Sequence, residues 1–193
     1  MSKDLKEILG LGSLETAPRL LGWRLCRRMP QGIVKVKIVE TEAYHQADPA
    51  SHSFRGSTAR TWPMFEAGGH IYVYFTYGRH YALNIVTGQK GVGEGVLVRA
   101  AEPVKGIDIM RQNRGTDDLK RLAKGPGCLA QALGIFDTAL SGKILNKSSI
   151  WLEAPTEQVS TENIVSAPRV GIKQAAELPW RFYIRNNPYV SKL

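Results

Sequence analysis

Apolar residues recur along this chain at two different periods, every second position in some stretches and every third or fourth in others. Ile33–Glu42 has the shorter period. Val34, Val36 and Ile38 share one face and Lys35 and Lys37 the other, which predicts a half-buried strand. Ile71–Tyr77 and Tyr81–Thr87 are rich in aromatic and β-branched residues and predict two more strands. Gly78-Arg79-His80 joins them as a hairpin with Tyr77 at its tip. Val96–Ala101 predicts a fourth strand, and Ser149–Glu153, Ile164–Ile172 and Trp180–Arg185 predict closing ones. The helical spacing of Leu20, Leu21, Leu25 and Met29 predicts a helix over Thr16–Met29, with Pro18 near its start. Further helices are predicted over Ile107–Arg114 and Asp117–Lys124, stopped by Gly115 and Gly125, and over Cys128–Leu133. No repeat or linker divides the chain. The expectation is one α+β domain over residues 1–193, with helices segregated from a largely antiparallel sheet.

The same periodicity picks out candidate chemistry. If the strand from Ile33 runs on to Tyr44, then Glu40, Glu42 and Tyr44 fall on the face of Val34, Val36 and Ile38. Ionised carboxylates on an apolar face are costly unless paired, hydrated or functional. The alternative is that the strand stops earlier and both glutamates are solvated or salt-bridged. Tyr72, Tyr74 and Tyr81 read equally well as half-buried packing residues. Tyr77 differs, because an aromatic beside the glycine of a tight turn projects outward, where it is placed to wedge between stacked bases.

Composition narrows the classes. A chain of 193 residues with 43% hydrophobic and 22% charged residues is long enough and ordinary enough to bury a core as a soluble domain. Lys and Arg outnumber Asp and Glu by 26 to 17, and a net charge of +9 favours a polyanionic partner, nucleic acid or an anionic membrane surface. Charge alone does not choose between them. Cys26 and Cys128 are far apart and read as small buried hydrophobes of a reducing compartment. His45, His52, His70 and His80 have no metal-ligand spacing, so no metal site is expected. No apolar run approaches the roughly 18 residues that span a bilayer, and Met1–Leu11 lacks a signal-peptide core, so a cytoplasmic location is expected. Gly91–Gly95 superficially resembles a phosphate loop but lacks the Lys-Ser/Thr ending, and reads as a flexible hairpin loop. Gly125-Pro126-Gly127 is either a donor of backbone N–H groups to a phosphate or a plain turn.

A set of ordered runs goes further than any of these. They are Ala17-Pro18-Arg19-Leu20-Leu21-Gly22, Ile38-Val39-Glu40-Thr41-Glu42-Ala43-Tyr44, Asp48-Pro49-Ala50-Ser51-His52-Ser53, and Tyr72-Val73-Tyr74-Phe75-Thr76-Tyr77-Gly78. Leu83-Asn84-Ile85, Val98-Arg99-Ala100-Ala101-Glu102-Pro103, Gly125-Pro126-Gly127, Pro168-Arg169-Val170-Gly171-Ile172 and Trp180-Arg181-Phe182-Tyr183-Ile184 follow. In this order, from about Ala17 to Ser191, the chain resembles the alkyladenine (3-methyladenine, methylpurine) DNA glycosylases. The resemblance implies a compact α+β domain around a curved antiparallel sheet. It also implies a cofactor-independent monomer that flips alkylated or deaminated purines out of double-stranded DNA, with no role for a membrane.

By resemblance, Glu42 is the general base that activates the attacking water, and Arg99 with the Val170 carbonyl holds that water. Tyr44 stacks on one face of the flipped base, with His52 and Tyr74 on the other. Asn84 obstructs the exocyclic amino group of guanine. Tyr77 fills the gap in the duplex and, with Arg79, contacts DNA. Three positions depart from the family's habit: Gly68-Gly69 replaces a frequent Pro-Gly, Thr61 a common Asn, and Arg79 a frequent Met. The preference among 3-methyladenine, 7-methylguanine, hypoxanthine and ethenoadenine stays open. So do two rival readings, a non-catalytic nucleic-acid-binding module and an enzyme acting on RNA or free nucleotides. The wedge at Tyr77 argues against a free-nucleotide substrate.

Overall fold

Eight strands run β1 (Arg24–Met29), β2 (Gly32–Tyr44), β3 (Ile71–Thr76), β4 (His80–Val86), β5 (Gly95–Lys105), β6 (Ile150–Glu153), β7 (Ile164–Ala167) and β8 (Arg181–Ile184) in a computed structural model that describes residues 1–192. β2 organises them. β5 pairs along one edge of β2 from Lys35 to Tyr44, while the other edge is shared between β1, over Gly32–Lys37, and β8, over Glu40–Glu42. The sheet continues through β4 to β3 on one side and β6 on the other, with β7 on β8. Every pairing is antiparallel, and the sheet curls into a half-barrel within a single compact α+β domain.

Helices α1 (Lys3–Gly10), α2 (Ser13–Arg19), α3 (Ile107–Arg114) and α4 (Pro126–Ala132) cover one face of that sheet. Leu5 and Leu9 of α1, Ala17 of α2, Met110 of α3 and Leu129 of α4 join Val34, Val36, Ile38, Val73, Leu83, Ile85 and Val98 in the main core. The departure at Gly68-Gly69 has a packing reason in this chain. A Cβ at Gly68 would lie 1.9 Å from the Leu9 carbonyl oxygen, so the end of α1 can settle there only on a glycine.

Three elements differ from the sequence reading. The stretch Thr16–Met29 is not one helix: α2 ends at Arg19, Gly22 turns the chain at φ +85°, and Arg24–Met29 is strand β1. The apolar stripe was compatible with either period, and pairing with both β2 and β6 decided it. Asp117–Lys124 contains only a 3-10 turn over Leu119–Arg121, with the Asp118 carboxylate accepting the Lys120 N–H at 3.0 Å. Ile164–Ile172 is strand only to Ala167; Pro168 follows, and Arg169–Ile172 is a loop.

The strand β2 does continue to Tyr44, but Glu40, Glu42 and Tyr44 do not share the face of Val34, Val36 and Ile38. Register irregularities against β5 on either side of Glu40 insert a bulge. Ahead of it the even positions enter the main core; beyond it Ala43 does, and the Thr41 hydroxyl reaches the Ala17 carbonyl at 2.9 Å. Val39 packs into a separate small cluster with Ala100 and Val190. One extra residue reverses the parity of a strand. The bulge therefore turns both carboxylates away from the main core.

The Gly91–Gly95 segment is pinned rather than flexible in its second half. The Gly93 N–H donates to Gln46 Oε1, the Gly93 carbonyl accepts from Ser53 Oγ, and the Glu94 N–H donates to Met64 O. Glu94 also caps α2, whose N-cap is Gly12 and has no side chain: Glu94 Oε2 accepts the Ser13 N–H at 2.7 Å in a buried setting. A buried carboxylate at a helix N-terminus satisfies an orphan donor and complements the helix dipole. Glu94→Ala is expected to cost about 1–2 kcal/mol of unfolding free energy, and Glu94→Gln, which still accepts the bond, less than half of that. Urea titrations measure both; equal losses would show that the cap is not the source of the stability.

Candidate active site

The face exposed by the bulge forms the floor of a cavity of about 270 Å³, lined by Glu42, Tyr44, His52, Tyr74, Asn84, Arg99 and Val170 among others. That volume lies just below the roughly 300–1,000 Å³ usual for small-molecule sites and suits one planar base rather than a whole nucleotide. Strand alternation delivers these side chains. Tyr72 and Tyr74 of β3, Ala82 and Asn84 of β4, and Leu97 and Arg99 of β5 all point to this side, while Val73, Leu83 and Val98 point to the core.

Glu42 is fully buried and every polar contact it makes is accounted for. Its Oε1 accepts the Val170 N–H at 2.9 Å and lies 3.4 Å from Arg99 Nη1, and its Oε2 accepts the Tyr44 hydroxyl at 2.9 Å. Burial pushes its carboxyl pKa up, the adjacent Glu40 adds to the rise, and Arg99, the Val170 N–H and the Tyr44 hydroxyl only partly offset it. Arg99 Nη1 also donates to the Val170 carbonyl at 3.4 Å. The carboxylate, the guanidinium and one backbone carbonyl thus meet at a single point of the floor.

The walls are aromatic. His52 and Tyr74 meet edge to face at 4.4 Å between ring centres, and Tyr72 stacks on Tyr74 at 5.4 Å. The His52 Nδ1 sits 3.0 Å from the Tyr72 hydroxyl. Burial, with a smaller push from Arg60, lowers the His52 pKa to about 4, so its ring is neutral at physiological pH. Tyr44 forms another wall, backed by the Arg169 guanidinium 4.7 Å from its ring centre. Asn84 is nearly buried and its Nδ2 reaches the Tyr72 carbonyl at 3.5 Å.

Tyr77 stands at the cavity mouth, 77% exposed, in a left-handed conformation at φ +51°. Its hydroxyl donates to the Gly171 carbonyl at 2.9 Å, linking the hairpin tip to the loop that carries Val170. Arg79 lies on the same tip, exposed and outside the cavity lining. The other residues to which the resemblance gives roles, Glu42, Tyr44, His52, Tyr74, Tyr77, Asn84, Arg99 and Val170, all line the cavity.

Sequence reasoning missed the supports. Arg169 and Asp48 form an ion pair with neither side chain exposed, and Arg169 also donates to the carbonyls of Ala43 and Ala175. Arg181 bonds Glu40 Oε1 at 2.8 Å, the Pro168 carbonyl at 2.9 Å and the Lys192 carbonyl at 2.8 Å. The only available signal was that these residues stand inside the shared runs. Spacing along the chain could not reveal partners more than 100 residues apart, such as Asp48 and Arg169.

Comparison with known proteins places the chain in a family. The family model described as Methylpurine-DNA glycosylase (MPG) matches residues 9–188. A protein of Carboxydothermus hydrogenoformans named "Putative 3-methyladenine DNA glycosylase" is 49% identical over 179 residues, covering 93% of each chain. Proteins given the same name in Methanoculleus marisnigri and Francisella tularensis are 48% and 43% identical, covering 93% and 98% of this chain and 94% and 98% of their own. With nearly the whole chain matched by both comparisons, this protein belongs to the methylpurine-DNA glycosylase family.

Proposed function

We propose that this protein excises alkylated purines from double-stranded DNA by hydrolysis, with Glu42 as the general base. The observation that carries the reading is the buried Glu42 carboxylate, held beside Arg99 and the Val170 carbonyl at the floor of a base-sized aromatic cavity. A water bound among these three groups gives one proton to Glu42 as its oxygen bonds to C1′ of the sugar. The bond from C1′ to the purine nitrogen breaks, its electron pair leaves with the base, and an abasic sugar remains. Burial raises the affinity of Glu42 for that proton, which makes it a stronger base than a surface carboxylate. No lysine is among the residues lining the cavity, so no amine is offered for a Schiff base; simple hydrolysis is the chemistry that fits.

The walls favour a cationic base. Tyr44, Tyr74 and a neutral His52 offer π faces and no competing positive charge, and a methylated purinium gains cation–π attraction as well as stacking. Hypoxanthine and other neutral lesions would need a proton on departure, which makes them harder substrates for the same floor. Tyr77 supplies the wedge. A base flipped out of the duplex leaves its neighbours unstacked, and an exposed aromatic on the hairpin tip can fill that gap, with Arg79 beside it for a phosphate. The protein is proposed to act as a monomer, since one chain contains every part of the floor, walls and wedge.

Glu42→Gln keeps the size of the side chain but cannot take the water's proton. Its single-turnover excision of 3-methyladenine should fall by about 10²–10⁴-fold with lesion-DNA binding largely retained. The wild-type rate should rise with pH through a midpoint above the ordinary carboxylate range and then reach a plateau, because the base works only when ionised. Residual activity within a few-fold of wild type would remove Glu42 from the mechanism.

Tyr77→Ser should slow excision from fully paired sites by about 5- to 100-fold, as expected from the loss of one stacking partner. Mismatched lesions, which cost less to unstack, should lose less. Equal losses on both duplexes would reduce Tyr77 to a packing residue.

At Asn84 the expectation concerns selectivity. Asn84→Ser shortens a side chain that lines the cavity, and excision of guanine-type relative to adenine-type lesions should increase by about tenfold, in the range of small steric discriminations. Competition between the two lesions in one reaction reads the ratio directly; an unchanged ratio would dismiss the steric role.

A further inference from the structure

Beside the proposed floor lies a second buried carboxylate that the reaction does not use. Glu40 is two residues before Glu42, on the same side of β2, and is equally shielded from solvent. Its Oε1 lies 3.2 Å from Arg99 Nε and 2.8 Å from Arg181 Nη1, and its Oε2 accepts the Ser191 N–H at 2.7 Å. Arg99 Nε also donates to Ser191 Oγ at 3.0 Å. Two carboxyl groups and two guanidiniums therefore share one buried site.

Arg99 stands between the two acids. Its Nε is 3.2 Å from Glu40, while its Nη1 is 3.4 Å from Glu42 and 3.4 Å from the Val170 carbonyl. A lone Arg–carboxylate pair in a dry site tends to close into a bidentate fork, which would hold Glu42 ionised but make it a poor proton acceptor. Glu40 and Ser191 hold the Nε edge instead, and Glu42 meets the guanidinium at Nη1. Arg181 carries a second connection. Bonded to Glu40 and to the Pro168 carbonyl, it anchors the loop whose Val170 N–H reaches Glu42.

We propose that Glu40 is a positioning residue for base excision: it divides the Arg99 guanidinium between two carboxylates and ties the C-terminal residues around Ser191 to the reaction centre. This role rests on the proposed function of Glu42. The charged and titratable groups facing the pair are Arg99 from β5, Arg181 and Tyr183 from β8, Tyr74 from β3 and Tyr44 from β2 itself. Arg169 lies behind Tyr44, and His52 across the cavity is neutral.

Removing a neighbouring negative charge and releasing Arg99 both favour the ionised form of Glu42. Glu40→Gln should therefore move the rising limb of the pH–rate profile to lower pH, by about half a unit or more. Its plateau rate should fall by about 10- to 100-fold as the floor loses its alignment. Arg181→Gln should move the limb the opposite way. It removes a positive charge near Glu42, its register partner across to β8, and lets Arg99 lean toward Glu40.

The test is single-turnover excision of 3-methyladenine from a defined duplex across pH, with thermal unfolding to confirm that each variant is native. Opposite displacements support the proposal. Limbs that stay at the wild-type position while the rates fall, or that move together, overturn it. If both buried variants lose the fold, Ser191→Ala decides. Its residue is partly exposed, and losing the hydroxyl that accepts from Arg99 should shift the limb to lower pH; an unmoved limb overturns the proposal. A wild-type protein that releases no base, or Glu42→Gln that keeps its limb, would instead sink the reading of Glu42 on which this one stands.

Discussion

Two carboxyl groups buried two residues apart on one strand are the constraint to which much of this structure answers. Burying an unpaired charge costs several kcal/mol even after relaxation, so Glu40 and Glu42 can stay inside only if the surrounding chain neutralises and hydrogen-bonds both. The β2 bulge helps by turning these positions out of the main apolar core and toward arginines of the neighbouring strands. β5 supplies Arg99 from one edge of β2 and β8 supplies Arg181 from the other. The shared edge of β2 is therefore functional as well as topological: a strand paired with β1 along its whole second edge would have no place for Arg181.

Further structure follows from those two arginines. Arg181 ends on the carbonyls of Pro168 and Lys192, and Arg99 on that of Val170 and the hydroxyl of Ser191. The loop after β7 and the C-terminal residues, both poor in regular structure, are thereby fixed against the sheet by charge-assisted bonds rather than by apolar burial. Arg169 repeats the arrangement one layer out. It pairs with Asp48, bonds Ala43 and Ala175, and carries Tyr44 and Trp180 on its flanks. The proposed stacking wall must keep its position to within a fraction of an ångström, and a ring backed by a planar cation that is itself held by an ion pair and carbonyls has little freedom to tilt.

How much of this could be read from the chain depended on range. The hairpin of Ile71–Tyr77 and Tyr81–Thr87, the strand after Val96 and the helix over Ile107–Arg114 were legible because their periods are local. Thr16–Met29 failed because Leu20, Leu21, Leu25 and Met29 satisfy a helical stripe while Arg24–Met29 pairs between β2 and β6, and pairing is a long-range fact. The face of Glu40, Glu42 and Tyr44 failed for a related reason. Strict alternation carries no sign of a bulge, and nothing in Ile38-Val39-Glu40 announces that the parity will reverse there. The floor and wall residues were named through the resemblance, and the structure brings them together around one cavity. Asp48, Arg169 and Arg181 were visible only as letters in shared runs, and Glu40 only as an acid in need of a partner, since their meaning lies in partners far away in sequence.

Tyr77 shows what such a scaffold leaves free. A non-glycine residue in the left-handed region is strained by about 1–3 kcal/mol, and here it sits on a hairpin tip with little packing to hold it. The bond from its hydroxyl to the Gly171 carbonyl is solvent-exposed, and such a bond contributes about 0.5–1.5 kcal/mol at most. That exposed bond is what the side chain gives up on leaving its resting place, so moving it costs little. In the proposed function, stacking on bases returns roughly 1–3 kcal/mol, enough to draw the ring into a duplex once a base has been extruded. The rigid parts of the molecule hold the chemistry and the walls, where a small displacement is expensive. Tyr77, the aromatic proposed to enter the duplex, is kept by an exposed hydrogen bond at the tip of a hairpin.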